Sequence, residues 1–178
     1  MTTDPDAEFT ALVLRQSRFV FRVAYAVLLN SHDAEDAVQE TFLKLHRNRG
    51  WQNAENERAF LARVARRVAV DQRRRSAQVD TIADPPTLED RASLEPGPEE
   101  VLESANQHAM VHAMIDALPE DLRMPLVLSA VEELNSREIS TILGIPEGTV
   151  RTRMQRARQM LRQKLAATQT PRPETRYA

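Results

Sequence analysis

The run Gly-Ile-Pro-Glu-Gly-Thr-Val-Arg-Thr-Arg-Met-Gln-Arg-Ala-Arg at 144–158 holds the densest set of recognition-capable side chains in this chain. Arg151, Arg153, Arg156 and Arg158 present planar forks of N–H donors, which match phosphate oxygens and the O6/N7 edge of guanine. Thr149, Thr152 and Gln155 add shorter hydrogen-bonding groups in the same segment. Such groups near the start of a helix are placed to meet base edges in a major groove.

The flanking residues predict the elements that would hold them. Asn135 and Glu138 are spaced as a capping box, so a short helix is expected over 136–143, with Ile139, Ile142 and Leu143 as its apolar stripe. Ser140 is small enough for two helices to cross closely. Gly144 falls where the chain must leave the helix with positive φ. Pro146 stands at the start of the next helix, where its missing N–H is harmless. Val150, Met154, Ala157 and Leu161 repeat at helical spacing and are expected to face a core. A surface helix with a solvated basic face would also carry these arginines. The cap, the turn glycine and the preceding helix together favour a helix-turn-helix that reads duplex DNA.

The formal net charge of the 178-residue chain is −2, which by itself does not announce a nucleic-acid binder. Locally the balance is different. Between 58 and 75 seven arginines face one aspartate, and between 79 and 104 eight acids face one arginine. The segment 147–165 is basic again. There is no cysteine, which excludes disulfides and thiolate metal sites. No apolar run approaches the ~18 residues of a membrane span, and no signal peptide opens the chain, so the expected compartment is the cytoplasm.

Apolar periodicity predicts an all-α protein of two small helical domains. The first is expected over 1–75, with Phe9, Leu12, Phe19, Val20, Val23 and Val27 on its first helix. Ser31 is expected to cap a second helix that buries Ala34, Ala37, Val38, Phe42 and Leu45 and ends at Asn48-Arg49-Gly50. A loop with Trp51 and Asn53 then leads to an Arg-rich third helix from about Glu57 to Arg75. Residues 76–98 are acidic and proline-rich, as a flexible linker is. The second domain is expected over 99–166, with helices near 99–116, 119–132, 136–143 and 147–166, followed by a disordered tail over 167–178. The linker is long enough to reach between two DNA sites one to two turns apart.

One face of the second helix follows the i, i+3, i+4, i+7 rule away from the apolar stripe: Asp36, Gln39, Glu40 and Leu43. It reads as a solvated acidic face, or as a docking face for a basic partner protein with Leu43 as its apolar anchor. The third helix carries too many arginines for its neighbours to balance, and phosphate is the expected counter-charge.

The run Asp36-Ala37-Val38-Gln39-Glu40-Thr41-Phe42-Leu43-Lys44-Leu45 resembles the polymerase-binding helix of bacterial extracytoplasmic-function sigma factors. Phe60-Leu61-Ala62-Arg63-Val64-Ala65, with Asp71-Gln72-Arg73-Arg74 after it, is similar to the same family. Leu118-Pro119 with Leu122-Arg123, and then Glu138 to Arg158, resembles its carboxy-terminal helix-turn-helix. The resemblance implies a dissociable RNA polymerase subunit that directs promoter recognition, promoter opening and transcription initiation. Asp36, Gln39, Glu40 and Leu43 would then meet core RNA polymerase. Thr149, Arg151, Thr152, Arg153, Gln155 and Arg156 would meet the minus-thirty-five element. Trp51, Asn53, Arg63, Arg66, Arg67, Arg73 and Arg74 would lie at the minus-ten element. The implied partners are core polymerase, promoter DNA and an anti-sigma factor, for a monomer without membrane insertion, cofactor or metal. Arg67, Phe60 and Glu133 stand where members often carry Asn, Trp and Gly.

Two other classes compete. A stand-alone helix-turn-helix regulator needs a dimer seam, which the sequence does not supply, and it leaves the first domain unexplained. An enzyme would need a catalytic constellation. The i, i+4 pair His108 and His112 is the nearest approach to a metal site, and it lacks further ligands.

Overall fold

The computed structural model describes residues 5–79 and 109–169. Seven α-helices make up these residues: α1 (Pro5–Leu28), α2 (Ser31–Asn48), α3 (Glu57–Val79), α4 (109–116), α5 (Glu120–Ala130), α6 (Ser136–Leu143) and α7 (Glu147–Gln169). A single 3-10 turn, η1 (Gly50–Asn53), sits between α2 and α3. No strand occurs among the described residues.

The first three helices form a bundle because each carries one apolar stripe that only its neighbours can cover. Leu12, Val20 and Val23 of α1, Ala34 and Ala37 of α2, and Leu61, Ala65 and Val68 of α3 are buried together. Each large side chain among them contributes roughly 1.5–3 kcal/mol of apolar burial. The expected cap of α2 shifts by one position: Asn30, not Ser31, is the N-cap, and its side chain accepts from the Asp33 N–H at 2.9 Å. Asparagine and serine cap equally well, and with Asn30 in the extended N-cap conformation Ser31 becomes the first helical residue. Arg49 ends α2 in the left-handed region at φ 44°.

The helix α3 continues to Val79, so the first residues of the expected linker, 76–79, are helical. At the other end α7 runs to Gln169, so residues 167–169 of the expected disordered tail are helical as well. The remainder of that linker and the rest of the tail, from 170, lie outside the described residues. Pro125 lies inside α5 and removes one rung of its hydrogen-bond ladder.

The second half of the chain is not held apart from the first. Met124, Leu128, Leu134, Ile139, Ile142, Val150 and Met154 join the same buried cluster as α1, α2 and α3. A smaller cluster of Leu118, Leu122, Leu126 and Ala157 closes α5 on α7. Polar ties cross the same boundary. Asn56 caps α3 by accepting from the Ala59 N–H at 2.9 Å, and its amide donates to Glu138 at 2.7 Å. Arg123 is 5% exposed. It donates to the carbonyls of Ala26 in α1 (2.8 Å), Asp116 (2.9 Å) and Leu118 (2.8 Å). Burial pushes its guanidinium below the ordinary value, while Asp116 and Glu120 pull it back up.

Candidate nucleic-acid and polymerase interfaces

The helix-turn-helix forms as its residue types dictate. The Asn135 side chain accepts from the Arg137 and Glu138 N–H groups at 3.0 Å each, and the Glu138 carboxylate accepts from the Asn135 N–H at 2.9 Å. This is the full capping box. Gly144 takes φ 67° and returns its N–H to the Ser140 carbonyl at 2.9 Å. The Ser140 hydroxyl adds a bond to the Ile145 carbonyl at 2.6 Å, so this residue ties the turn as well as leaving room for it. Val150 and Ala157 are fully buried and Met154 nearly so, which fixes the rotation of α7.

That rotation turns Arg151, Thr152, Gln155 and Arg156 outward, all exposed. Thr149 and Arg153 are half-buried. Arg151 pairs with Glu147 one turn back at 2.7 Å, and Arg153 lies 3.8 Å from Asp121 of α5. The four exposed residues form one patch near the α7 N-terminus.

Six of the seven arginines of α3 divide into two faces, and the seventh, Arg75, turns toward Glu40 of α2. At about 100° per residue, Arg63, Arg67 and Arg74 fall within about 40° of one another, and Arg58, Arg66 and Arg73 within about 80° on the adjoining face. The first three are exposed to solvent. The second three face the other half of the chain. Arg73 pairs with Glu120. Arg66 is half-buried and lines a cleft of about 390 Å³ with Asp121, Met124, Leu143, Ile145 and Arg153, and its Nε has no hydrogen-bond partner among the described residues. Asn53 is exposed on η1.

Trp51 departs from its expected place at the DNA surface. It is 5% exposed and packs against Phe9 with ring centroids 6.2 Å apart. The only Trp in the chain has more apolar area to hide than the loop could leave in water, and the α1–α2 junction supplies the pocket. Its place in the core positions η1 rather than offering a ring to a base.

On α2, Asp36, Gln39 and Leu43 are exposed, Leu43 by 57%. Glu40 departs from the fully exposed position expected of it. It is half-buried and bonded to Lys44 (2.9 Å) and to Arg75 of α3 (3.0 Å). Lys44, and after it Arg75, hold its carboxyl below the usual range against the opposing effect of burial. Leu43 and Gln39 continue into an open cleft of about 550 Å³ lined also by Phe9, Thr10, Phe42 and His46.

Sequence reasoning missed one charged group entirely. Glu132, between α5 and α6, has a fully buried side chain held by Arg22 of α1 and Arg58 of α3. Its one sequence signal was its neighbour. Glu133, standing where a glycine is common, does adopt the left-handed backbone at φ 57°, and that turn aims Glu132 inward. No group of three or more potential metal ligands occurs among the described residues; His108 lies outside them.

Two family models match this chain: Sigma-70 region 2 over residues 12–79, and Sigma-70, region 4 over residues 108–161. The chain is 35% identical over 156 residues to the ECF RNA polymerase sigma factor SigE of Mycolicibacterium smegmatis, with 87% of this chain covered. It spans 60% of that relative's length. It is 33% identical to the RNA polymerase sigma-H factor of Pseudomonas aeruginosa, covering 86% of this chain and 83% of that one. With the ECF RNA polymerase sigma-E factor of Escherichia coli K12 the identity is 35%, over 88% of this chain and 86% of the relative. Among solved structures, the sigma factor RpoE of Bartonella quintana, crystallised with the anti-sigma factor NepR, shares the fold with a TM-score of 0.72 at 21% identity, over 92% of this chain and 99% of that one. CnrH, solved in complex with the cytosolic domain of CnrY, gives 0.64 at 22% identity, over 91% and 90%. A two-block helical protein with a helix-turn-helix in its second block, matched in order by both regions, defines an RNA polymerase sigma factor. The chain belongs to the extracytoplasmic-function (ECF) family of these proteins.

Proposed function

We propose that this chain binds core RNA polymerase reversibly through α2 and carries it to promoters through α3 and α7. The observation that carries the reading is the pairing of two surfaces in one chain. The α7 patch of Arg151, Thr152, Gln155 and Arg156 faces solvent at the start of a helix-turn-helix. Asp36, Gln39 and Leu43 face solvent on α2, where Asp36 has only an exposed contact with His32 at 4.0 Å. A stand-alone regulator has use for the first surface only.

On this reading α7 enters the major groove of the minus-thirty-five element, with Arg151 and Arg156 as the candidates for guanine. Thr149 and Arg153 support it from the groove's edge. Arg63, Arg67 and Arg74 meet the minus-ten element from the outer face of α3, with Asn53 beside them and Trp51 behind as the prop for η1. Arg66 and Arg73 join once the second block moves away. The chain acts as a binding subunit, without catalysis of its own, as a monomer in the cytoplasm where its polymerase works. An anti-sigma factor is its expected antagonist, as the Bartonella protein was crystallised with the anti-sigma factor NepR.

Binding of the purified chain to core polymerase tests this. Asp36→Arg with Leu43→Glu is expected to abolish binding while helical content stays normal, because both sites are exposed, Asp36→Arg sets a cation against a basic partner, and Leu43→Glu removes the apolar anchor. Unchanged affinity in that variant removes α2 as the docking face.

A further inference from the structure

The polar centre of the boundary between the two blocks is one carboxylate. Glu132 has a fully buried side chain, and two arginines from the opposite block converge on it. Arg22 of α1 grips both carboxylate oxygens, Nε to Oε1 and Nη2 to Oε2, the latter at 3.1 Å. Arg58 of α3 donates through Nη2 to Oε2 at 2.6 Å and through Nη1 to the Glu132 carbonyl at 3.1 Å. The Arg58 guanidinium also lies 4.5 Å above the Phe19 ring, which fixes its plane. Both arginine side chains remain about two-fifths exposed, 37% and 39%, so their outer edges already reach solvent.

Two forks focused on one pair of anionic oxygens is the geometry that binds a phosphodiester. Arg58 continues the α3 face of Arg66 and Arg73, and Arg73 is likewise held by an acid of the second block, Glu120. The second block therefore supplies an acid at both ends of this α3 face. When the blocks part, Glu132 leaves with the second, while Arg22 and Arg58 stay on the first. They are then a preformed pair of forks without a counter-anion, in line with Arg66 and Arg73.

We propose that Arg22 and Arg58 form a nucleic-acid backbone site on the first block, and that Glu132 occupies it as a phosphate surrogate while the two blocks are closed. The inference rests on the promoter-binding reading above. It adds two residues to the DNA-binding surface and an internal competitor that keeps them silent. A ligand for the open state then binds more weakly by the fraction of chains that are open.

The test uses the full chain with a mixed-sequence 20-nucleotide single-stranded DNA as probe. In Glu132→Gln two arginines that converge on one buried carboxylate lose their counter-charge at the boundary, so the closed form is disfavoured. Small-angle scattering should show a larger radius of gyration at unchanged helical content. Two phosphate contacts, from Arg22 and Arg58, should steepen the slope of log affinity against log salt by about 1.4 for a single strand, beyond what Arg66 and Arg73 add as they are uncovered with them. The advantage of the variant over the natural chain should then shrink by at least about sevenfold between 50 and 200 mM salt. Adding Arg22→Gln and Arg58→Gln should lower the slope of the opened chain by that share of about 1.4. An opened Glu132→Gln chain with the natural slope overturns the proposal, and so does one that neither opens nor binds differently. If Glu132→Gln alone fails to fold, the triple Gln variant carries the test, since it leaves no buried charge unpaired. Bound to core polymerase, it should lose about 1.4 from the slope relative to the natural chain, and an undiminished slope overturns the assignment. Failure of the natural chain to bind core polymerase strikes the promoter-binding reading instead, and the free-chain measurements are independent of it.

Discussion

Replacing Arg123 by Met probes the boundary between the two blocks at its best-satisfied polar contact. The guanidinium donates to three carbonyls at 2.8–2.9 Å, one of them Ala26 on the opposite block. Methionine fills much of the same volume and strands all three acceptors. Each bond to a charged donor contributes about 1.5–3 kcal/mol net, which sums to several kcal/mol. Against this, the variant no longer has to bury a charge, and that desolvation is unfavourable enough to push the Arg123 pKa down. The balance is a loss of about 3–5 kcal/mol, the range for breaking a buried charged contact on one side. For a chain of this length that lowers Tm by about 6–20 °C. Arg123→Lys should fall between the two, because one ammonium cannot span three carbonyls set for a planar fork. Thermal and urea unfolding followed by circular dichroism measure both. A drop of less than about 2 °C for Arg123→Met would show instead that the carbonyls find other donors at no loss and that Arg123 does not hold the boundary.

Four further outcomes are expected. Asn135→Ala removes the α6 cap and should destabilise the helix-turn-helix by about 1 kcal/mol in urea titrations. Gly144→Ala meets open space, so its loss of about 1–2 kcal/mol should come from the left-handed backbone alone, and Gly144→Asn should lose less. Arg151→Ala and Arg156→Ala should each lower holoenzyme affinity for an upstream promoter element by about 1–3 kcal/mol, and much less for random DNA; equal losses on both would reduce these residues to phosphate contacts. The lowered Glu40 pKa gives stability that is present above the ordinary carboxylate range and lost as pH falls through the lowered value. Lys44→Met should therefore move the Glu40 titration, followed by NMR, upward toward the ordinary range.

The helix-turn-helix was legible in the sequence because everything that makes it is local. The capping box spans four residues, the turn needs one glycine, and the buried face of α7 repeats every three or four positions. The acidic face of α2 was legible for the same reason, except at Glu40, whose partner Arg75 is 35 positions away. The boundary between the blocks was not legible. Glu132 reads as one more acid in an acidic chain, and its partners lie 110 and 74 positions upstream. Arg123 sits in a polar-looking turn of sequence, yet its bond to Ala26 spans 97 positions. Trp51 was misplaced because an aromatic in a loop between two basic helices suits a base as well as it suits a core. Only packing against Phe9 decides, and that contact comes from α1.

Transcription reconstituted from core RNA polymerase, this chain and a fragment library of bacterial promoter DNA decides whether the chain directs initiation. Discrete start sites should appear only when the chain is added, preceded by two shared sequence elements one to two helical turns apart. Arg151→Ala should alter recognition of the upstream element alone. A chain that leaves the start-site pattern of core polymerase unchanged, or that drives initiation equally well with Asp36→Arg and Leu43→Glu in place, would contradict that role.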